Sequence, residues 1–315
     1  GKVMALQKYD AITVFGNCQG DQLSACLRRM LPSVAIDFVR YHDNVDPSSQ
    51  KGGPERRLLL VGNPVMSFAD AIAALRERHE TLDFPAIVHA GFQPDLIRPK
   101  VDKFLVQGPM GSNHSALILH GFLSGYDEAQ TAALFRRDVF EQLGYLRARA
   151  ESDAHMRKQF VKFGLWDESE LAPLLAGECF MHTTLHPKLP VIAMVARLLL
   201  AKAGIEPEVR YPENLMADEM ANNLVWPVYP EIAEHFSVAR GEYVFQFKPR
   251  PATTFGLDEF IARSFAAYRQ ISLDRTCHAR LSGEDMLGLG GKKAGSTQLQ
   301  NPYRSFPDYQ FWRRA

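Results

Sequence analysis

The sequence predicts an α/β fold: a parallel open sheet flanked by helices, with a large helical portion packed on it. Two observations carry this. Over the first hundred residues, continuous apolar runs alternate with stretches of helical period, the pattern of a parallel sheet covered on both faces. Beyond Gly111 the pattern turns almost wholly helical. The change at Gly111 and a shift in charge after residue 239 suggest three parts, 1–110, 111–239 and 240–315, or a single domain holding all of them.

Taken in order, Ala11-Ile-Thr-Val-Phe15 is a compact strand ending at Gly16. Leu23, Cys26, Leu27, Met30 and Leu31 then recur at helical spacing until Pro32 ends the run. Val34–Tyr41 is a second strand, followed by a polar loop over His42–Arg57. Leu58–Val61 is a third strand and Phe68–Arg78 a helix. Pro85–His89 and Phe104–Val106 read as two further short strands. Helices are predicted at Ser115–Leu123, Asp127–Leu146, Asp153–Phe163, Ser169–Leu175, Leu189–Ala203 and Asp258–Tyr268. Tyr243–Lys248 is the late strand, and Gly283–Pro307 reads as a surface loop.

With 315 residues, 46% hydrophobic and 23% charged, the chain has material for one large core or two, which excludes disorder and small disulfide scaffolds. Lys+Arg and Asp+Glu both number 36. A protein gripping a nucleic acid is usually strongly basic, so that class is disfavoured. From Arg240 onward there are 12 Lys/Arg against 7 Asp/Glu, a mildly basic part that suits one small anionic ligand, or merely a solvated surface. The four cysteines form no C-x-x-C pair, which with no apparent leader fits a reducing cytoplasm. The apolar stretch Leu189–Gly204 contains Pro190, Arg197 and Lys202 and is too short and charged to span a bilayer.

Chemistry concentrates at strand-to-helix junctions. Gly16-Asn17-Cys18-Gln19-Gly20 lies where the first strand hands over to a helix, the place where open α/β sheets put ligands. A helix N-terminus there favours anions, thiolates among them, and its N–H groups can cradle an oxyanion. The bland alternative is a small cysteine buried in a turn. The spacing is not G-x-G-x-x-G, so a nicotinamide site is disfavoured. In Met181-His182-Thr183-Thr184-Leu185-His186-Pro187, Pro187 pushes His186 toward extended backbone, so a loop is favoured over a zinc-binding helix and no metal site is expected. His186 is a candidate general base, or only a histidine at a helix entry. In Gly108-Pro-Met-Gly-Ser112-Asn113-His114, Ser112 reads as an N-cap, while Asn113 as oxyanion donor and His114 as base or orienting group stay open. Gly290-Gly-Lys292-Lys293-Ala-Gly fails as a Walker motif because Gly-Lys is not followed by Ser or Thr. Lys292 and Lys293, like Lys248 and Arg250, remain candidates to touch a phosphate or simply to face water.

With Gly-Asn-Cys-Gln after the first strand, Asn-His before a helix and His-Pro before a long apolar helix, the chain resembles the WcbI family of polysaccharide-biosynthesis proteins, from about Thr13 to about Gly204. The resemblance implies a coenzyme A-binding acetyltransferase of capsule assembly, with some likeness to SGNH-type hydrolases. Carried over by position, Cys18 stands for the nucleophile, His186 for the catalytic histidine and Asn113 for the oxyanion asparagine. Gly16, Asn17, Gln19, Gly20 and His182 would line the CoA site, and Lys248, Arg250, Lys292 and Lys293 would meet its phosphates. Thr183 stands where an Asp three residues before the histidine is expected, which leaves the orienting carboxylate unassigned. The implied reaction moves acetyl from acetyl-CoA to a sugar, nucleotide-sugar or polysaccharide acceptor, within a capsule-synthesis complex. A glycan-deacylating hydrolase and a non-catalytic CoA or nucleotide-sugar module are the competing readings.

Overall fold

A computed structural model of the chain describes residues 8–41, 56–62, 68–101, 104–247 and 253–273. By contact density it divides into two compact units. The first holds 1–87, 157–176 and 186–218, and the second holds 88–156, 177–185 and 219–315.

The first unit contains a four-stranded parallel sheet. Strand β1 (Ala11–Gly16) leads into helix α1 (Cys18–Met30), then β2 (Ala35–Arg40), β3 (Arg57–Gly62), helix α2 (Ala69–Arg76) and β4 (Glu80–Phe84). Strand order is β2-β1-β3-β4, every neighbour parallel. The inner strands β1 and β3 are almost wholly buried, whereas β2 and β4 mix exposed and buried positions. That is why the inner pair reads as unbroken apolar runs. Helix α1 lays Leu23, Cys26, Leu27 and Met30 on one buried face, and its chain stops at Leu31, before Pro32. Helix Leu189–Ala203 starts with Pro190 in its first turn and ends at Gly204 in left-handed backbone (φ 72°), matching its predicted limits. Across this unit Arg197 forms a fork with Glu170 (2.8 Å) and reaches Glu213 (3.0 Å).

Several expectations are corrected. The fourth strand is Glu80–Phe84, and Pro85–His89 is buried irregular chain. Its backbone groups are taken by other partners: the Gln19 side chain meets both the Ile87 N–H (2.8 Å) and its carbonyl (2.9 Å), and the His89 N–H reaches the Thr184 carbonyl (3.0 Å). An apolar run alone cannot tell such a segment from a strand. Phe104–Leu105 pairs with Lys100–Val101, antiparallel, in a two-stranded sheet apart from the four-stranded one. The predicted helix Asp127–Leu146 is two short ones, Glu128–Ala132 and Arg137–Gln142, broken where Arg136 turns extended (φ −153°). There Phe135 is buried against Phe140, Tyr229 and Tyr243, so tertiary packing overrides local period. Residues 42–55 of the expected polar loop and all of Gly283–Pro307 lie outside the described residues.

The second unit is organised around a buried carboxylate. Asp95 accepts hydrogen bonds from Tyr229 Oη (2.6 Å), Tyr145 Oη (2.7 Å), the Leu117 N–H (3.0 Å) and Ser115 Oγ. Burial pushes its carboxyl up to about 6 against the pull of those donors. Beside Tyr229, Phe245 packs with Trp226, Phe255 and Phe260, the Phe245–Phe260 rings 4.4 Å apart. Phe245–Phe247 pairs antiparallel with a second late strand, Thr253–Phe255, that the sequence did not announce. Among the described residues no helix is long and apolar enough to cross a membrane.

Candidate functional site

In a sheet ordered β2-β1-β3-β4, the connection after β1 runs to β2 on one side and the connection after β3 runs to β4 on the other. The strand ends around β1 are therefore a topological switch point, where the helices diverge and leave a crevice. Gly16 ends β1 there and Cys18 is the first residue of α1. Asn17, exposed and in extended backbone (φ −102°), makes no side-chain cap bond, so its carboxamide does not occupy the first-turn amides. Cys18 is half-buried, neither sealed in the core nor fully in water.

The turn is held tightly from both sides. A Cβ on Gly16 would lie 3.4 Å from Gly20 Cα, and one on Gly20 would lie 3.0 Å from the Phe38 ring. The two glycines thus let the end of β1 and the first turn of α1 approach backbone to backbone. Gln19 fixes the next link through its two bonds to Ile87. An amide matched to a backbone N–H and C=O in this way holds the start of α1 like one rung of a sheet.

His186, also in the first unit, is half-buried in the two-residue bridge His186–Pro187. Lys188 follows in extended backbone and the helix Leu189–Ala203 begins, its first N–H capped by Asp218 (2.9 Å). His186 therefore sits in a two-residue strand just ahead of that helix, where the sequence predicted a loop, and not on a metal-binding helix. Among the described residues no group of three His, Cys, Asp or Glu side chains could hold a metal ion.

The second unit carries the remaining described candidates. Asn113 is buried; its Nδ2 donates to the Met110 carbonyl (3.2 Å), and its Oδ1 has no hydrogen-bond partner among the described residues. His114 is buried with both ring nitrogens engaged, Nε2–H to the Val106 carbonyl (2.7 Å) and Nδ1 to Tyr268 Oη (2.7 Å). A carbonyl only accepts, so the tautomer is fixed with the proton on Nε2. Burial pushes this histidine down to about 4, a neutral, built-in imidazole at neutral pH. The cap of the following helix is Ser115, whose Oγ accepts from the Ile118 N–H, and not Ser112. His182 is buried, with its carbonyl taking the Trp226 N–H (2.8 Å). Thr183 is fully buried and its Oγ1 accepts from the Leu185 N–H. Lys248, Arg250, Lys292 and Lys293 lie outside the described residues.

One polar pair was not anticipated. His89, fully buried, bonds Asp153 through Nε2 (2.8 Å) while Nδ1 accepts from the Gly91 N–H (3.2 Å). Burial lowers its pKa despite the carboxylate. The two residues are 64 positions apart, and no local spacing joins them.

A family model described as polysaccharide biosynthesis enzyme WcbI matches residues 11–208, from the first residue of β1 to just past the helix Leu189–Ala203. The chain belongs to the WcbI family. The match runs through the Cys18 turn and the His186 loop, and WcbI is a family of polysaccharide-biosynthesis enzymes. A solved structure of WcbI has a TM-score of 0.57 at 14% identity, covering 86% of this chain and 98% of that one. It is described as a novel polysaccharide biosynthesis enzyme, in a native form without a disulfide bond between CoA and one of its cysteines. At that identity the likeness carries the fold. No curated protein matches the chain.

Proposed function

We propose that this WcbI-family enzyme binds acetyl-CoA as substrate and transfers its acetyl group to a hydroxyl of a sugar in a polysaccharide precursor, with Cys18 and His186 as the working pair. The observation that carries the reading is the position of Cys18: first residue of α1, half-buried, at the switch point of a parallel sheet, beside first-turn amides that Asn17 does not cap. A solved WcbI structure, described as a native form without a disulfide between CoA and one of its cysteines, supports it by naming CoA together with a cysteine.

In the proposed reaction the Cys18 sulfur attacks the thioester carbonyl of acetyl-CoA, the C–S bond to CoA breaks, and CoA leaves as its thiolate. The sugar hydroxyl then gives its proton to His186 as its oxygen attacks the acetyl carbon, the C–S bond to Cys18 breaks to restore the thiolate that began the cycle, and His186 releases its proton to water. The amides of the α1 first turn face the oxyanion in both halves. Gln19, clamped to Ile87, keeps the turn from shifting. His114, with both ring nitrogens engaged, is a positioning group within the second unit.

The test is mass spectrometry of the whole protein after acetyl-CoA without acceptor. An acetyl adduct on Cys18, lost in Cys18→Ala and accumulating in His186→Ala, is the expected result. Full sugar-acetylating activity in Cys18→Ala would overturn the covalent route, and no melting shift with millimolar CoA would overturn CoA as the substrate.

A further inference from the structure

The first unit carries a second concave feature, away from the Cys18 turn. A cleft of about 480 Å³ runs along the edge strand β4, lined by Thr81, Leu82 and Asp83 of that strand, Val61 of β3, Arg76 of α2, Lys162 and Phe163, and Lys202. Its size falls within the range of small-molecule sites.

Its charge is one-sided. Three cations, Arg76, Lys162 and Lys202, stand against one carboxylate, Asp83, which Arg76 already engages at 2.6 Å. Lys202 is held in place: its Nζ donates to the Phe163 carbonyl (2.8 Å), and a Cβ on Gly164, which sits in left-handed backbone (φ 67°), would come within 2.8 Å of that Nζ. The bare glycine backbone makes the room the ammonium occupies. Lys162 ends the helix Ala148–Lys162, one residue before the carbonyl that Lys202 caps, and both lysines line the cleft. The floor is apolar, from Val61, Leu82 and Phe163.

We propose that this cleft binds the phosphate groups of a small phosphorylated molecule of nucleotide size, with Lys162 and Lys202 on the phosphates and the body of the ligand against Leu82 and Phe163. A chain with equal numbers of acidic and basic residues and a cleft of this limited size suits one such molecule, not a polyanion. The pairing Phe15–Val61–Asp83 sets the cleft two strand spacings from β1, roughly 10 Å to the side of the strand that delivers Cys18. Phosphate binding here stands apart from the acetyl-transfer reading. Only naming the ligand as a substrate of Cys18 rests on that reading: the phosphates are then those of CoA or those of a phosphorylated sugar acceptor.

The experiment is calorimetric titration of the whole chain and of Lys162→Gln, Lys202→Gln and the double variant, with inorganic pyrophosphate, uridine diphosphate, CoA and dephospho-CoA as probes. Pyrophosphate affinity should fall about tenfold in the double variant, as loss of charge-assisted donors to phosphate implies. If CoA affinity falls with it and dephospho-CoA affinity does not, the cleft holds the CoA 3′-phosphate. If uridine diphosphate affinity falls and CoA affinity is unchanged, it holds the acceptor. Pyrophosphate that fails to bind, or binds the double variant as well as the parent, overturns the proposal. Should the double variant not fold, lysine acetylation of the parent decides: pyrophosphate must slow modification of Lys162 and Lys202, and equal rates overturn the site. Cys18→Ala should still bind pyrophosphate, so a failure of the acetyl-transfer reading leaves this result standing.

Discussion

Asp95→Asn is the substitution that most directly questions the second unit. The wild-type carboxyl is raised from 3.8 to about 6 because burial penalises its charge more than four donors offset it. A folded-state pKa above the unfolded one means that the folded protein holds the proton more tightly. This contribution is therefore fully present below pH 3.8, is lost as pH rises, and is gone above about 6. At about 1.36 kcal/mol per pKa unit the whole span is about 3 kcal/mol, of which about 2 kcal/mol falls between pH 4.5 and 7. An amide cannot titrate, and the tyrosine and serine hydroxyls can turn to accept from its NH₂. Urea unfolding at pH 4.5, 5.5, 6.5 and 7.5 should show the variant missing that part of the wild-type decline, so that the stability of the parent relative to the variant falls by about 2 kcal/mol from the acid end to neutral pH. Parallel curves for variant and parent would refute the view that a buried, reluctantly ionised Asp95 organises this unit.

Three other outcomes are expected. Gly91→Ala sets a Cβ 2.4 Å from Arg149 Cα, a backbone clash that no rotamer relieves; we expect loss of about 3 kcal/mol or more by denaturant titration, or no folded protein at all. Gln19→Ala leaves the Ile87 N–H and carbonyl without their side-chain partner, which should cost about 1–3 kcal/mol and slow acetyl loading of Cys18, whereas Gln19→Glu should restore only the N–H contact. Arg197→Met strands Glu170 and Glu213 in half-covered positions, with an expected loss of about 3 kcal/mol in chemical denaturation.

What was legible in the sequence was local. The run from Ala11 through the glycine-flanked Cys18 to Pro32 contains strand, turn and helix in order, each with its own punctuation, and the structure keeps all three. Leu189–Ala203 is equally self-describing, with proline at its start and glycine past its end. What was not legible depends on partners far along the chain. Asp95 joins residues 20, 22, 50 and 134 positions away, and no window contains that pattern. Pro85–His89 looked like a strand because it is apolar and short, and only the Gln19 contact shows where its backbone bonds go. Among the site candidates, Cys18 opens helix α1 and His186 lies in a two-residue strand, both half-buried, while the basic candidates near residues 250 and 290 fall outside the described chain.

The Gln19 carboxamide ties the residue next to the sulfur to the peptide that follows the edge strand. Two bonds in opposite senses resist both sliding and twisting, so the cysteine and Ile87 travel together. A ligand that presses on the Ile87 segment would thereby re-aim Cys18 without touching it, and a loose segment there would blunt the nucleophile even with every reacting group in place.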